Sequence, residues 1–87
     1  MIRVLIPSPL HSYTRGCAEV QLDAASIDAL THQLDATFPG IRFRIIDEQG
    51  RIRRHIQFFV NSDMARDLKH ALSPGDDVKI VCALSGG

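Results

Sequence analysis

LSPGDDVKIVCAL, Leu72 to Leu84, is the stretch on which the fold turns. Pro74 and Gly75 mark a tight turn, because Pro arrives with φ already set and Gly tolerates a left-handed backbone. After the turn, Val78, Ile80 and Cys82 alternate with Lys79 and Val81, the period of a strand. The run from Val78 to Leu84 holds a single charge and is too apolar for a solvent-exposed edge, so it belongs in the middle of a sheet. At the other end of the chain, Ile2, Val4 and Ile6 alternate with Arg3 and Leu5, and Pro7-Ser8-Pro9 ends that strand. These two strands can lie side by side and parallel, because the long intervening chain supplies the crossover that a parallel pair requires.

Residues 10–16 read as a polar turn, and Cys17 to Leu22 as a second strand, antiparallel to the first. A helix is expected from Ser26 to Phe38: Ser26 is an N-cap, Asp28 sits in the first turn, and Ile27, Leu30, Leu34 and Phe38 share one face. Pro39-Gly40 terminates it. Ile41 to Ile46 fits either a strand or a turn of helix over so short a span. Asp47 to Gly50 is a turn, Ile56, Phe58 and Val60 mark another strand, and residues 64–72 can make a short helix. This order predicts an α+β fold of the β-grasp, or ubiquitin-like, type, with a mixed sheet packed on one main helix. Residues 1–83 are expected to form the β-grasp domain and residues 84–87 a flexible, reactive C-terminal tail.

The chain has 87 residues, enough for one domain with a single core. Ten basic and ten acidic side chains cancel, with no like-charged run beyond Arg53-Arg54, which argues against nucleic acid or membrane partners. No stretch reads as a signal peptide or a membrane span, so a cytoplasmic protein is expected. Cys17 and Cys82 lie far apart without metal spacing. In this strand order they flank strand one, roughly 9–10 Å apart over two inter-strand steps, beyond the Cα reach of about 7 Å for a disulfide. Both are expected to be free, with Cys82 on the core face. His11, His32, His55 and His70 are scattered without ligand spacing, and the carboxylates sit beside turns, caps and solvated faces. No metal site, bound cofactor or catalytic residue is expected.

Phe59 to Asp63, FVNSD, and Leu72 to Gly87, LSPGDDVKIVCALSGG, resemble the MoaD/ThiS family of ubiquitin-like sulfur carriers, in which a "VN" strand end precedes an L-x-x-G-D-x-V turn and strand and a terminal Gly-Gly. The middle stretch is similar to the longer carriers that serve cysteine or thio-metabolite biosynthesis. The resemblance implies that the chain is a protein co-substrate rather than an enzyme. In the family the terminal carboxylate, here that of Gly87, is adenylated by a partner activating enzyme that uses ATP. Sulfur from a sulfurtransferase or another source then makes a thiocarboxylate, which a biosynthetic enzyme accepts. The acceptor stays open among cysteine, thio-metabolite, molybdopterin and thiamin pathways. Leu84, Ser85 and Gly86 would thread the enzyme's channel, where the missing Cβ of glycine allows a narrow path. A ubiquitin-like protein modifier or a non-catalytic interaction module is the alternative.

Alternation leaves Leu5, Phe59 and Val81 on the side of the sheet away from the helix. With Met64 and Leu84 they form a candidate partner-binding surface, and the resemblance implies the same for Met64 and Val81.

Overall fold

A computed structural model describes residues 1–83; the expected tail, Leu84, Ser85, Gly86 and Gly87, and the boundary before it lie outside the described residues. In chain order the elements are β1 (Ile2–Leu5), a single 3-10 turn (Ser8–Leu10), β2 (Glu19–Leu22), α1 (Ile27–Thr37), α2 (Ile41–Ile45), β3 (Ile56–Val60), β4 (Asp63–Ala65) and β5 (Asp77–Cys82). The sheet order is β2-β1-β5-β3-β4. β5 therefore occupies the centre, parallel to β1 with Val4 opposite Val78, and antiparallel to β3 with Phe58 opposite Ile80. The anticipated pairing of the first and last strands is the one observed. β2 is shorter than the expected Cys17 to Leu22, although Ile6 N–H still donates to the Ala18 carbonyl ahead of it.

One face of the sheet packs on the helices. Val4, Phe58 and Val78 are fully buried, as are Ile27, Leu30 and Leu34 from α1. Each such side chain contributes roughly 1.5–3 kcal/mol over an exposed one. Ser26 caps α1 as expected, its hydroxyl oxygen accepting from the Ala29 N–H at 3.1 Å.

The ambiguous Ile41 to Ile46 segment resolves as helix α2. A strand would have placed Ile41, Phe43 and Ile45 on one face. The helix instead buries Ile41 and Ile45, four residues apart, and leaves Phe43 56% exposed. Asp35 holds the entry to α2, its carboxylate accepting from the N–H groups of Gly40 and Arg42. Gly40 takes φ +97 at this corner, where a side chain is rarely tolerated.

The short helix expected over residues 64–72 is absent. Asp63–Ala65 is instead strand β4, paired with β3, and the chain beyond it turns back to α1. The carbonyls of Leu68 and His70 accept from the first N–H groups of α1, Asp28 at 2.9 Å and Ile27 at 3.0 Å. A helix through residue 72 would have paired the Leu68 carbonyl with the Leu72 N–H, taking it from Asp28; Leu72 N–H donates instead to the Ala25 carbonyl.

The β3–β4 hairpin turns at Asn61, which has φ +57. Its backbone N–H donates to the Asp77 carbonyl at 2.7 Å, and its side-chain oxygen accepts from the Asp77 N–H at 3.1 Å. Its side-chain NH₂ donates to Asp76 at 3.2 Å. The Asp76 carboxylate also accepts from the Ser73 N–H, and these two bonds, that from Ser73 foremost, hold its pKa below the ordinary 3.8. Because the folded pKa is depressed, the stabilisation is present above the ordinary value and is lost as pH falls through the folded value. Asn61→Gly keeps the backbone angle and removes the side-chain bonds; urea denaturation should show a loss of about 1–2 kcal/mol. Asn61→Ala should lose about 1 kcal/mol more, for a Cβ in the left-handed region. In the Asn61→Gly protein the carboxyl carbon of Asp76 should titrate at higher pH than in the wild type, as read by NMR.

Candidate functional site

The face of the sheet away from the helices carries the residues singled out as a binding surface. Strand register sets one row across it: Met64 opposite Phe59, Phe59 opposite Lys79, Lys79 opposite Leu5, and Leu5 opposite Glu19. Val81 stands in the next row, opposite Gln57. Leu5, Phe59 and Val81 are half-buried, and Met64 is 41% exposed. The row is not continuously apolar, because Lys79 stands between Leu5 and Phe59. Leu5 and Val81 share a groove with Pro7, Pro9 and Cys82, whereas Phe59 and Met64 lie on the other side of Lys79. The aliphatic stem of a lysine can cover apolar neighbours while its ammonium stays in water. Leu84, the remaining member of the expected patch, lies outside the described residues.

The two ends of this face differ. Near the start of β5, Arg3 donates to both carboxylate oxygens of Asp77, at 3.1 and 3.3 Å, and lies 3.8 Å from Glu19. At the other end, where β5 runs out, the groove on the β1 side is lined mainly by apolar residues, Leu5, Pro7, Pro9, Val81 and Cys82 among them. Leu10 is buried and anchors the Pro7 to Pro9 loop, and His11 donates through Nε2 to the Ile6 carbonyl at 2.8 Å. The last described pairing of β5 is the Ala83 N–H donating to the His55 carbonyl at 2.7 Å. The last described residue, Ala83, therefore leaves the central strand of the sheet beside the start of β3.

Cys17 and Cys82 are both free thiols. Cys17 is exposed, while Cys82 is half-buried against the core, as alternation predicts. Burial pushes the Cys82 thiol above its ordinary value, which disfavours the thiolate. Among the described residues no three His, Cys, Asp or Glu side chains cluster closely enough to hold a metal ion, and no described helix is long and apolar enough to cross a membrane.

Sequence reasoning missed Phe43 and the arginines around it. Reading Ile41 and Ile45 as a helical pair would have turned Phe43 outward. The density of arginine from Arg42 to Arg54 was visible as well.

Residues 4–87 match the model of the ThiS family. The sulfur carrier protein CysO of Mycobacterium bovis and Mycobacterium tuberculosis is 31% identical, over 99% of this chain and 98% of the relative. The crystal structure of the Amycolatopsis orientalis BexX/CysO complex contains a chain that superimposes with a TM-score of 0.92 at 26% identity, covering 100% of both chains. The small archaeal modifier protein 1 of Haloferax volcanii shares the fold, with a TM-score of 0.82 at 20% identity over 95% of this chain and 97% of the other.

Because the thiolate is the reactive form, iodoacetamide at mildly alkaline pH should alkylate Cys17 several-fold faster than Cys82. A time course read by peptide mass spectrometry checks this, and equal rates in the native protein would contradict the burial of Cys82.

Proposed function

The chain belongs to the ThiS family and is a sulfur carrier protein, and from that premise we propose that the Gly87 α-carboxylate is the group that carries the sulfur. The family match carries this reading, because it runs through Gly86-Gly87 in a fold whose central strand leads directly into Leu84. Residues 1–83 act as the folded handle and residues 84–87 as the reactive tail. The protein is a carrier consumed and regenerated, not a catalyst.

The chemistry has two steps on a partner activating enzyme. A carboxylate oxygen of Gly87 attacks the α-phosphate of ATP and expels pyrophosphate, giving an acyl-adenylate. A sulfide or persulfide sulfur then attacks the acyl carbon; the bond to the AMP oxygen breaks and AMP departs. With sulfide the product is the thiocarboxylate directly. With a persulfide the acyl disulfide must be cleaved by a further thiol, which takes up the donor's sulfur and releases the thiocarboxylate. A sulfur-accepting biosynthetic enzyme then takes the sulfur. ATP is bound by the partner, and the carrier itself needs no resident cofactor. Glycine at the last two positions fits a channel that admits only backbone.

The activating enzyme docks on the outer face, through Leu5 and Val81 in the groove beside Pro7 and Pro9 and through Phe59 and Met64 beyond Lys79. Apolar side chains set around the exit of a reactive tail would exclude water from the contact.

The protein ending on Gly87, incubated with a cognate activating enzyme, ATP and a sulfur source, should gain the mass difference between sulfur and oxygen on its C-terminal peptide. Removing Gly87, or appending one residue after it, should abolish the gain and leave the thermal midpoint nearly unchanged. An unmodified wild type under conditions that load a known carrier overturns the reading, and lysine-linked adducts in its place would assign a modifier role.

Val81→Asp and Phe59→Asp should each weaken binding to the activating enzyme at least tenfold, on the order of 1.4 kcal/mol or more, with the fold retained. Calorimetric titration decides it: affinities equal to the wild type would mean that the enzyme reads the tail alone.

A further inference from the structure

A second cleft opens beside the exit of β5, where His55 holds Ala83. It is lined by Leu10, Phe43, Arg44, Glu48, Arg53 and His55. Phe43 is the most exposed aromatic-sized apolar side chain of α2, at 56%, and nothing in the core requires it to face outward. Arg53 lies over its ring, 4.8 Å from the centroid, and donates through Nε to the Phe43 carbonyl at 2.8 Å. These two contacts orient the guanidinium through its Nε and its face, and its terminal NH₂ groups make no hydrogen bond to the described residues. Arg44, on the same cleft, lies over the Tyr13 ring at 5.7 Å.

Neither guanidinium has a carboxylate of the described residues within 4.0 Å. The nearby acids are engaged elsewhere or stand off. Asp47 accepts from the N–H groups of Gln49 and Arg51 at 2.9 Å and pairs with Arg51 at 3.6 Å. Glu48 reaches the cleft's lining without an ion pair. The wider charge distribution points the same way: five of the ten basic residues fall between Arg42 and Arg54, against two of the ten acids. Of these, Arg42 pairs with Asp28 at 3.4 Å and Arg51 with Asp47, which leaves Arg44 and Arg53 as the cations of the cleft beside a single carboxylate, Glu48.

We propose that this cleft receives a carboxylate-bearing loop of the activating enzyme, and that Arg53 and Arg44 read its acidic side chains while Phe43 packs against it. The proposal rests on the sulfur-carrier reading above. Two observations select this occupant. Two oriented and unpaired guanidiniums match carboxylates in charge and in bidentate geometry. The cleft is also continuous with the tail: His55, one of its walls, is the residue whose carbonyl holds Ala83. Any enzyme that draws Leu84 to Gly87 into its active site must set the rim of its entrance against the residues around Ala83, and on this side those residues are cationic.

The test is titration of the activating enzyme with three forms of the full chain: wild type, Arg44→Glu/Arg53→Glu, and Arg53→Lys. Circular dichroism and amide NMR spectra establish that each is folded. Wild-type affinity should fall as sodium chloride is raised. The double variant should bind at least tenfold more weakly at low salt, with its salt dependence flattened or reversed. Arg53→Lys keeps the charge and loses the planar fork, and should fall in between.

Wild-type affinity and salt dependence in the double variant overturn the proposal, provided that the wild type is converted to thiocarboxylate in the same preparation. Failure of the wild type itself to be modified overturns both readings. A shift of the Arg53 Nε–H resonance on deletion of Gly86-Gly87 from the free protein would assign the cleft to the chain's own tail. A dimer that the double variant abolishes would assign it to a second copy. Either result overturns the proposal too.

Discussion

The backbone ladder around β5 is the constraint on which the rest of the molecule depends. β5 is bonded along both edges, to β1 in parallel and to β3 in antiparallel, and β2 and β4 attach only through those two neighbours. From Asp77 to Lys79 the strand is paired on both edges, from Ile80 to Cys82 on the β3 edge, and its inward side chains, Val78 and Ile80, are excluded from water. Its outward side chains are the ones left to meet a partner. The end of β5 is fixed in turn, because the Ala83 N–H donates to the His55 carbonyl.

The ladder also explains the segment that departs from expectation. A parallel β1–β5 pair needs a crossover, and α1 is the crossover's main body, so the N-terminus of α1 comes to lie beside the chain that leads into β5. That terminus has donors to satisfy, and Leu68 and His70 supply the acceptors while Leu72 N–H donates back to the Ala25 carbonyl. Residues 66–72 are thus shaped by the needs of a neighbouring element. Their own helical propensity is a weak preference against unmet buried donors, each of which costs about 1–3 kcal/mol.

What was legible in the sequence follows from the range of the forces involved. Alternation at Ile2 to Ile6, Ile56 to Val60 and Val78 to Cys82 is a local signal of a one-sided burial, and each of those strands lies where the pattern placed it. Ser26 as a cap and the Pro39-Gly40 stop are local as well. The Ile41 to Ile46 helix was open because its two decisive contacts, burial of Ile45 and the Asp35 carboxylate on the Arg42 N–H, are tertiary. For the site, alternation sufficed to turn Leu5, Phe59 and Val81 outward. It was silent on the interruption by Lys79, which needs the register of β1, β5 and β3 together. The cleft of Phe43 and Arg53 was hidden for the same reason, since it joins a helix to a residue ten positions later through a ring and a carbonyl.

The charges near the sheet complete the separation of folding from function. At the start of β5 the acids are tied into the structure: Asp76 to Asn61 and Ser73, Asp77 to Arg3. These contacts are between neighbours of the ladder and serve to close the hairpin turn and align the first strand. Beyond the other end, Arg44 and Arg53 have no such partners among the described residues. Within a Debye length of about 8 Å at physiological salt, unpaired cations attract whatever acids approach. An arrangement built only for stability gains nothing by leaving one end of a sheet unpaired and an aromatic ring exposed beside it. The asymmetry is explained if, as proposed, that end is completed by another protein that meets the sheet where β5 stops.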